Sequence, residues 1–360
     1  MKNNKYFLIA IAWLLILQTA CVKAPDAVPQ AQKDDRSLLT IIKNNYAFSM
    51  FYTALQRTGL DKTLQGKGPY TILVPDNNAF VSSGIGADSL SKIDTATLKK
   101  LISYHIIPMS VKYAGIPQTI DSPYPTVAGP VVYLSVPLNS ASAPSGSVIT
   151  PLHINGVVVN KTDIAAANGY IIALSRVLNY PAASVKAYLL NSPKYSYFTQ
   201  ALKQFGLLDK LDGAGPFVVM APDNNAFINN GIDKTMLAAI DTLRYKKFLF
   251  SAYILSPYRF FLSDFTKDAQ PPNLYNPVIF TPDYAITIFT PFGGSSAAYG
   301  IKSLDYQTIE AKFDNPPYYG NSYIYGPQAN IADPDHLAAN GVVHGLDGMV
   351  IIPDSVKNHK

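Results

Sequence analysis

Five histidines, one cysteine and a short acidic run hold most of the chemistry open to this chain of 360 residues. His105 and His344 lack an HxxxH neighbour, the spacing that would set two imidazoles on one helix face around a metal. Each reads instead as a partly buried imidazole hydrogen-bonded to backbone; His153 and His336 belong to no motif. Asp333, Asp335 and His336 would offer a divalent ion two carboxylates and a ring nitrogen, but Pro334 between the acids favours a turn. Asp347 fits a turn, accepting backbone donors, better than it fits a general base. A G-x-S-x-G elbow and a P-loop are both missing from the sequence. Gly293-Gly294-Ser295-Ser296 lacks Walker spacing and reads as a loop, and Asn160-Lys161-Thr162 fits an N-glycosylation sequon. No catalytic residue, bound metal or cofactor is expected, and the chain does not read as an enzyme.

The cysteine has a different task. Lys2 and Lys5 precede an apolar run from Tyr6 to Leu17. As a helix it would reach about 18 Å, short of a hydrocarbon core of about 30 Å, so residues 1–20 read as a cleaved leader rather than a span. Leu17-Gln18-Thr19-Ala20-Cys21 resembles the lipobox of bacterial lipoproteins, although Gln18 stands where those proteins have an aliphatic residue. That resemblance implies an acylated Cys21, palmitate included, and each buried CH2 adds about 0.8 kcal/mol of membrane affinity. Val22 is not the aspartate that resembles an inner-membrane retention signal, so an outer-membrane, surface-exposed location is expected. Residues 21–36 carry two prolines and no periodicity and read as a lipidated tether.

Composition closes off other classes. Hydrophobic residues make up 48% and charged ones 15%, too apolar for a disordered chain. A net charge of +5 is too mild to argue for nucleic acid. A single cysteine excludes a disulfide framework.

The chain repeats itself. Residues 54–80 and 201–227 align without a gap at an offset of 147, with 14 of 27 positions identical, including the whole of PDNNAF. An offset of this size is that of a domain, so each copy should own a core. Both copies read in the same order. An amphipathic helix comes first, through Leu38, Ile42, Phe48, Phe51 and Leu55 in copy one and Phe198, Leu202 and Phe205 in copy two. Gly59 and Gly206 suit helix ends, and Pro193 suits a first turn. A Gly-Pro turn then opens a strand at Tyr70–Val74 or Phe217–Met220. Asp76 and Asp223, after Pro75 and Pro222, are placed to cap a short helix that Phe80 and Phe227 would pin to the core. A second helix follows, through Leu90, Ile93, Leu98, Leu101 and Ile102, or Met236, Leu237, Ile240, Leu243 and Leu249. The rest is β-rich, with Asn-Gly turns. The class expected from these residues is α+β.

These motifs resemble the fasciclin (FAS1) domain. Copy two carries Pro222-Asp223-Asn224-Asn225-Ala226-Phe227, and Asn340-Gly341-Val342-Val343-His344 leading to Asp347 and Pro353. Copy one carries Pro75, Asp76, Asn77 and Phe80, then Tyr104-His105. Its last motif departs, with Ile172 for the histidine and Ser175 for the aspartate, and copy two has Ala252-Tyr253 in place of Tyr104-His105. The resemblance implies two tandem FAS1-like wedge-shaped β-sandwich domains with packed helices, at 37–180 and 181–355. It also implies a role in cell adhesion, and it links Tyr104-His105 to receptor contact.

One asymmetry stands out. From Phe80 to Asn168 is 88 residues and from Phe227 to Asn340 is 113, so copy two carries a net insertion of 25. The stretch 256–330 holds 16 Phe or Tyr in 75 positions. It reads as β-hairpins with a satellite core, or as a recognition face in which Tyr318, Tyr319, Tyr323 and Tyr325 meet a glycan or protein ligand. Two roles are expected: a non-catalytic adhesion module tethered by its lipid, or an accessory subunit of an outer-membrane polysaccharide or nutrient uptake system. The sequence gives no oligomeric state.

Overall fold

The computed structural model describes residues 35–136, 152–242, most of 248–264, four short strands between 278 and 325, and 329–350. The leader, Cys21 and nearly all of the tether lie outside the described residues. Residues from Arg36 onward form one compact unit that holds both repeats.

Repeat 1 begins with α1 (Leu38–Asn44), a 3-10 turn at Tyr46–Phe48, α2 (Ser49–Thr58) and α3 (Leu60–Leu64). The single amphipathic helix expected here is thus broken. Asn45 takes an extended backbone, and its side chain accepts from the Ala47 N–H, which starts a new turn. Gly59 ends α2 in the left-handed region, at φ 71°. Strand β1 (Tyr70–Pro75) leads into α4 (Asn77–Ser82). The second expected helix is also two: α5 (Ala87–Lys92) and α6 (Thr95–Tyr104), divided where Asp94 caps the latter through the Thr97 N–H. The sheet is completed by β2 (Ile106–Ile107), β3 (Ser122–Pro125), β4 (Val131–Ser135), β5 (His153–Ile154), β6 (Val157–Ala166) and β7 (Gly169–Leu174).

The strands run in the order β2-β1-β7-β6-β5-β4-β3, parallel only between β1 and β7. Side chains alternate between the faces of β1 and β7. Ile72, Val74, Ile171 and Ala173 pack on the helices. Leu73, Ile172 and Leu174 face a second core with Val132 and Leu134 of β4 and Ile154 of β5. The strand path therefore doubles back over itself to make a sandwich, and the turn falls at β6, whose register shifts twice around Lys161. Pro123 and Pro125 occupy the edge strand β3.

Repeat 2 retraces this path with α7 (Val185–Leu190), α8 (Ser196–Gln204), β8 (Phe217–Pro222), α9 (Asn224–Asn229), α10 (Lys234–Ala238), α11 (Phe248–Ser251) and β9 (Ile254–Leu255). There follow β10 (Val278–Phe280), β11 (Ala285–Thr287), β12 (Thr308–Asp314), β13 (Tyr323–Tyr325), β14 (Ala329–Ala338) and β15 (Gly341–Leu346). Their order is β10-β11-β12-β14-β15-β8-β9, again with one parallel pair, β8 with β15. In the aromatic-rich stretch β10, β11 and β12 take the places of β3, β4 and β5, and the strand without a counterpart is β13, which pairs with β12.

The repeats share apolar material. Phe261, Leu337 and Val342 of repeat 2 belong to the second core of repeat 1, and the Phe261 ring lies 6.3 Å from that of Tyr133.

Candidate binding site

The polar motif residues hold backbone in place. Asp76 and Asp223 accept from the N–H groups of Ala79 and Ala226, at 2.7 and 2.8 Å, and so cap α4 and α9. Asn77 accepts from the Met50 N–H and donates to the Tyr46 carbonyl; Asn224 does the same with Tyr197 and Pro193. Phe80 and Phe227 have no exposed surface. Asn168 accepts from the Leu38 N–H and donates to the carbonyls of Leu64 and Gly66. Asn340 repeats this with Val185, Leu211 and Gly213. A Cβ on Gly341 would run into the Phe217 carbonyl, and one on Gly169 into that of Tyr70, so only glycine lets the parallel strands come this close.

Tyr104 and His105 are both 0% exposed, which corrects the expectation that this pair presents a contact surface. Their polar atoms are committed inside. The Tyr104 hydroxyl donates to the Val131 carbonyl at 2.8 Å and accepts from Asn155. His105 Nδ1 meets the Leu101 carbonyl at 2.8 Å, and Nε2 accepts from the Leu178 N–H at 3.0 Å. Donor to one side and acceptor to the other, the ring is neutral, and burial holds its pKa down at about 4. Tyr180, 38% exposed, stands edge-on to Tyr104 at 5.6 Å.

His344 has the same character. It is 0% exposed, accepts from the Asp335 N–H through Nδ1 at 3.2 Å and meets the Phe260 carbonyl through Nε2 at 3.1 Å. Burial lowers its pKa to about 4. Asp347 accepts from the backbone and side-chain amides of Asn330, as a turn residue would.

The acidic run lies on the bulged strand β14, where Asp335 adopts φ 69°. Its two carboxylates part company. Asp333 accepts from Tyr195 at 2.7 Å, pairs with His336 at 2.7 Å and is in contact with Lys194. Burial works to raise its pKa, but the bonds from His336 and Lys194 outweigh that and hold it below the ordinary carboxylate range. Asp335 accepts from the Leu262 N–H at 2.7 Å, and burial pushes its pKa up to about 7. Among the described residues no three His, Cys, Asp or Glu side chains are grouped to hold a metal ion.

A cleft of about 190 Å³ opens between the repeats, lined by Ser83, Asn155, Arg176 and Asn179 of repeat 1 and by Pro334 and Asp335 of repeat 2. Ser83 is engaged with the Ala79 carbonyl and the Val177 N–H, and Asn155 with Tyr133 and Tyr104, which leaves Arg176 as its exposed cation. The sequence reading missed this cleft, because it depends on contacts between repeats that no local spacing encodes. Tyr318 and Tyr319 lie outside the described residues; Tyr323 and Tyr325 are placed by backbone alone, on β13.

Two α+β sandwiches with the same strand order, each holding its parallel pair with an Asn-Gly turn and capping a short helix with the aspartate of PDNNAF, define a tandem-domain protein. The fasciclin domain model matches the chain twice, at residues 46–181 and 193–353, and the chain belongs to the fasciclin family. It is similar to pig transforming growth factor-beta-induced protein ig-h3, at 27% identity over 146 residues, 41% of this chain and 20% of that one. It is similar to human periostin at 27% over 208 residues, 57% of this chain and 23% of that one. Protein sll1483 of Synechocystis matches at 26% over 159 residues, 43% of this chain and 79% of that one. The chain thus spans about a quarter or less of the two animal relatives' own length. Among solved structures it matches a FAS1 domain pair from the insect cell adhesion molecule fasciclin I. That match has a TM-score of 0.37 at 21% identity, and covers 87% of this chain and 99% of the other.

Proposed function

We propose that this protein is a non-catalytic adhesion or binding module, held at the outer membrane by a lipid on Cys21, whose two fasciclin domains present surfaces to an extracellular protein or glycan. One observation carries the reading. The motif residues with acid–base or nucleophilic capacity, namely Asp76, Asp223, Tyr104, His105, His344 and Asp347, are engaged with backbone groups of their own repeat. A side chain that closes a buried backbone group is not free to meet a substrate. What remains for function is surface. Val81 and Ile228, at the same position of α4 and α9, are 63% and 51% exposed, so both repeats turn an apolar side chain to solvent beside PDNNAF. The test is binding of the protein, freed of residues 1–20, to cells, matrix polymers and a glycan array. Saturable binding to one class of ligand is expected; none across all three would end the reading. Retrieval from solubilised membranes with a stoichiometric transporter partner would instead select the accessory-subunit role, with the aromatic insertion as its contact. Protease treatment of whole cells checks the surface location, and mass spectrometry of the N-terminal peptide checks acylation of Cys21.

A further inference from the structure

The junction between the repeats contains polar groups that no structural motif accounts for. Asp121, just before β3, and Asp264, in the 3-10 turn Leu262–Asp264, come from different repeats and act on one another electrostatically across it. Asp264 is 0% exposed, and the Ser135 hydroxyl of β4 joins the two residues, accepting from the Asp121 N–H at 3.1 Å and bonding to Asp264. Asp264 Oδ2 accepts from the Phe261 N–H at 2.7 Å. The Oδ1 atoms of both carboxyls are buried with no hydrogen-bond partner.

Arg259 acts on Asp121 and works to keep it ionised, but burial and the charge of Asp264 outweigh it. The Arg259 guanidinium lies over the Tyr133 ring, 4.3 Å from its centre, and its Nε is also without a partner. Arg176 acts on Asp335. Asp335 adds a third carboxyl beside Asp264, itself raised to about 7 by burial, with His344 behind it, Nδ1 to Oδ1 at 3.7 Å, and Asp333 further along β14. His153, opposite Ser135 in the β4–β5 ladder, and Tyr133, on which Asp121 acts, are the other titratable groups beside the pair among the described residues.

Two carboxylates that act on one another, each with an oxygen shut away from solvent, do not both ionise readily. We propose that Asp121 and Asp264 share one proton across the junction, and that the two fasciclin domains are docked while it is held and loosen when it is lost at mildly alkaline pH. The shared proton supplies the donor that the two orphaned oxygens lack. Burial first, and then the charge of Asp264, raises Asp121 against the pull of Arg259, and burial raises Asp264, so the pair titrates above the ordinary carboxylate range. The docked state therefore binds more protons than the open state, and docking weakens as pH rises through this window. The buried histidines have the opposite sign, since they destabilise the folded repeats as pH falls, so docking has to be followed apart from global unfolding.

Hydrogen exchange read by mass spectrometry does this on the full chain in detergent micelles, at pH 5.5 and 8.5, corrected for the intrinsic exchange rate. Junction amides at 121 and 261–264 are expected to lose roughly tenfold or more of their protection at the higher pH, since each pKa unit is a tenfold change. Amides of β1 and β8 are expected to hold theirs. Asp264→Asn, which keeps a donor opposite Asp121 at every pH, is expected to remove the difference, as is Asp121→Asn. Equal protection of the junction at both pH values in the unaltered chain would overturn the proposal, whether or not either variant folds. So would recovery of protection at pH 8.5 on adding calcium, which would give the position to a metal ion.

Discussion

The two repeats reach the same fold with different chemistry at matching positions. In repeat 1 the N–H of Leu178 is closed by His105 Nε2; in repeat 2 the N–H of Val350 is closed by the Tyr253 hydroxyl, at 3.0 Å in each case. Both rings sit at the end of the helical layer, and both pack against a phenylalanine, Phe51 at 6.1 Å and Phe198 at 5.6 Å. The backbone carbonyl of each residue also accepts from the same point of the parallel pair, Leu73 or Met220. The need is for an acceptor to meet one buried N–H, and two side chains meet it. Elsewhere the repeats diverge further. Ile41 and Phe48 are core residues of repeat 1, with Ile164 packed against them. Their counterparts are Tyr188, Tyr195 and His336. There Tyr188 stacks on His336 at 4.9 Å and Asp333 gathers the polar tips. Position in the fold fixes burial and reach, and leaves open whether the layer is apolar or a satisfied polar network.

This comparison can be broken or sharpened in order of expected effect. The shared anchor should fail alike in both repeats. Asn168→Ala or Asn340→Ala strips two carbonyls and one N–H of their partner, and each should cost about 4 kcal/mol by urea denaturation. A much smaller loss in one repeat would show that the two turns are not equivalent. Acid should then find the histidines. Each is neutral when folded, with a pKa of about 4, while the unfolded chain takes up its proton near 6.5. That stability is whole above about pH 6.5 and is lost as pH falls to about 4, on the order of 3 kcal/mol for each ring. His344→Ile, which installs the residue of repeat 1, should remove one share of the acid sensitivity in a pH series of denaturation curves. A smaller effect tests the exchange of rings directly. His105→Phe should cost about 2 kcal/mol by leaving the Leu178 N–H unmet, and His105→Tyr should recover about half of that. No difference between the two variants would mean that the hydroxyl cannot reach. The least effect is expected at the caps, where Asp76→Ala or Asp223→Ala should cost about 1 kcal/mol, read from thermal unfolding.

The duplication was legible because PDNNAF and its flanks carry their own local reasons: an Asp cap, a buried Phe and a strand ended by Pro. The Asn-Gly turns were legible too, although their service to three separate backbone groups was not, since Leu64 and Asn168 are distant in the chain. Helix breaks at Asn45 and Asp94 were misread as continuous periodicity, because the apolar spacing carries across a cap. Tyr104-His105 was linked to receptor contact by the family resemblance alone, whereas the residue reading of His105, an imidazole bonded to backbone, is what its contacts with Leu101 and Leu178 show. The acid pair at the junction could not be read at all: Asp121 and Asp264 belong to no motif, and only the meeting of the repeats gives them a neighbour.

The edge strand β3 bears on how the module can hold a ligand. Two of its four residues are prolines, which bring no amide hydrogen to either side. Pro123 lies opposite Tyr133, whose N–H turns to Asn155 and away from β3, so both prolines fall at outward-facing positions. An incoming extended peptide, or another molecule's exposed strand, would find the donors of both missing along that rim. Growth of the sheet into a ladder of copies is therefore blocked at this margin, and recognition by side chains is favoured there over backbone zippering.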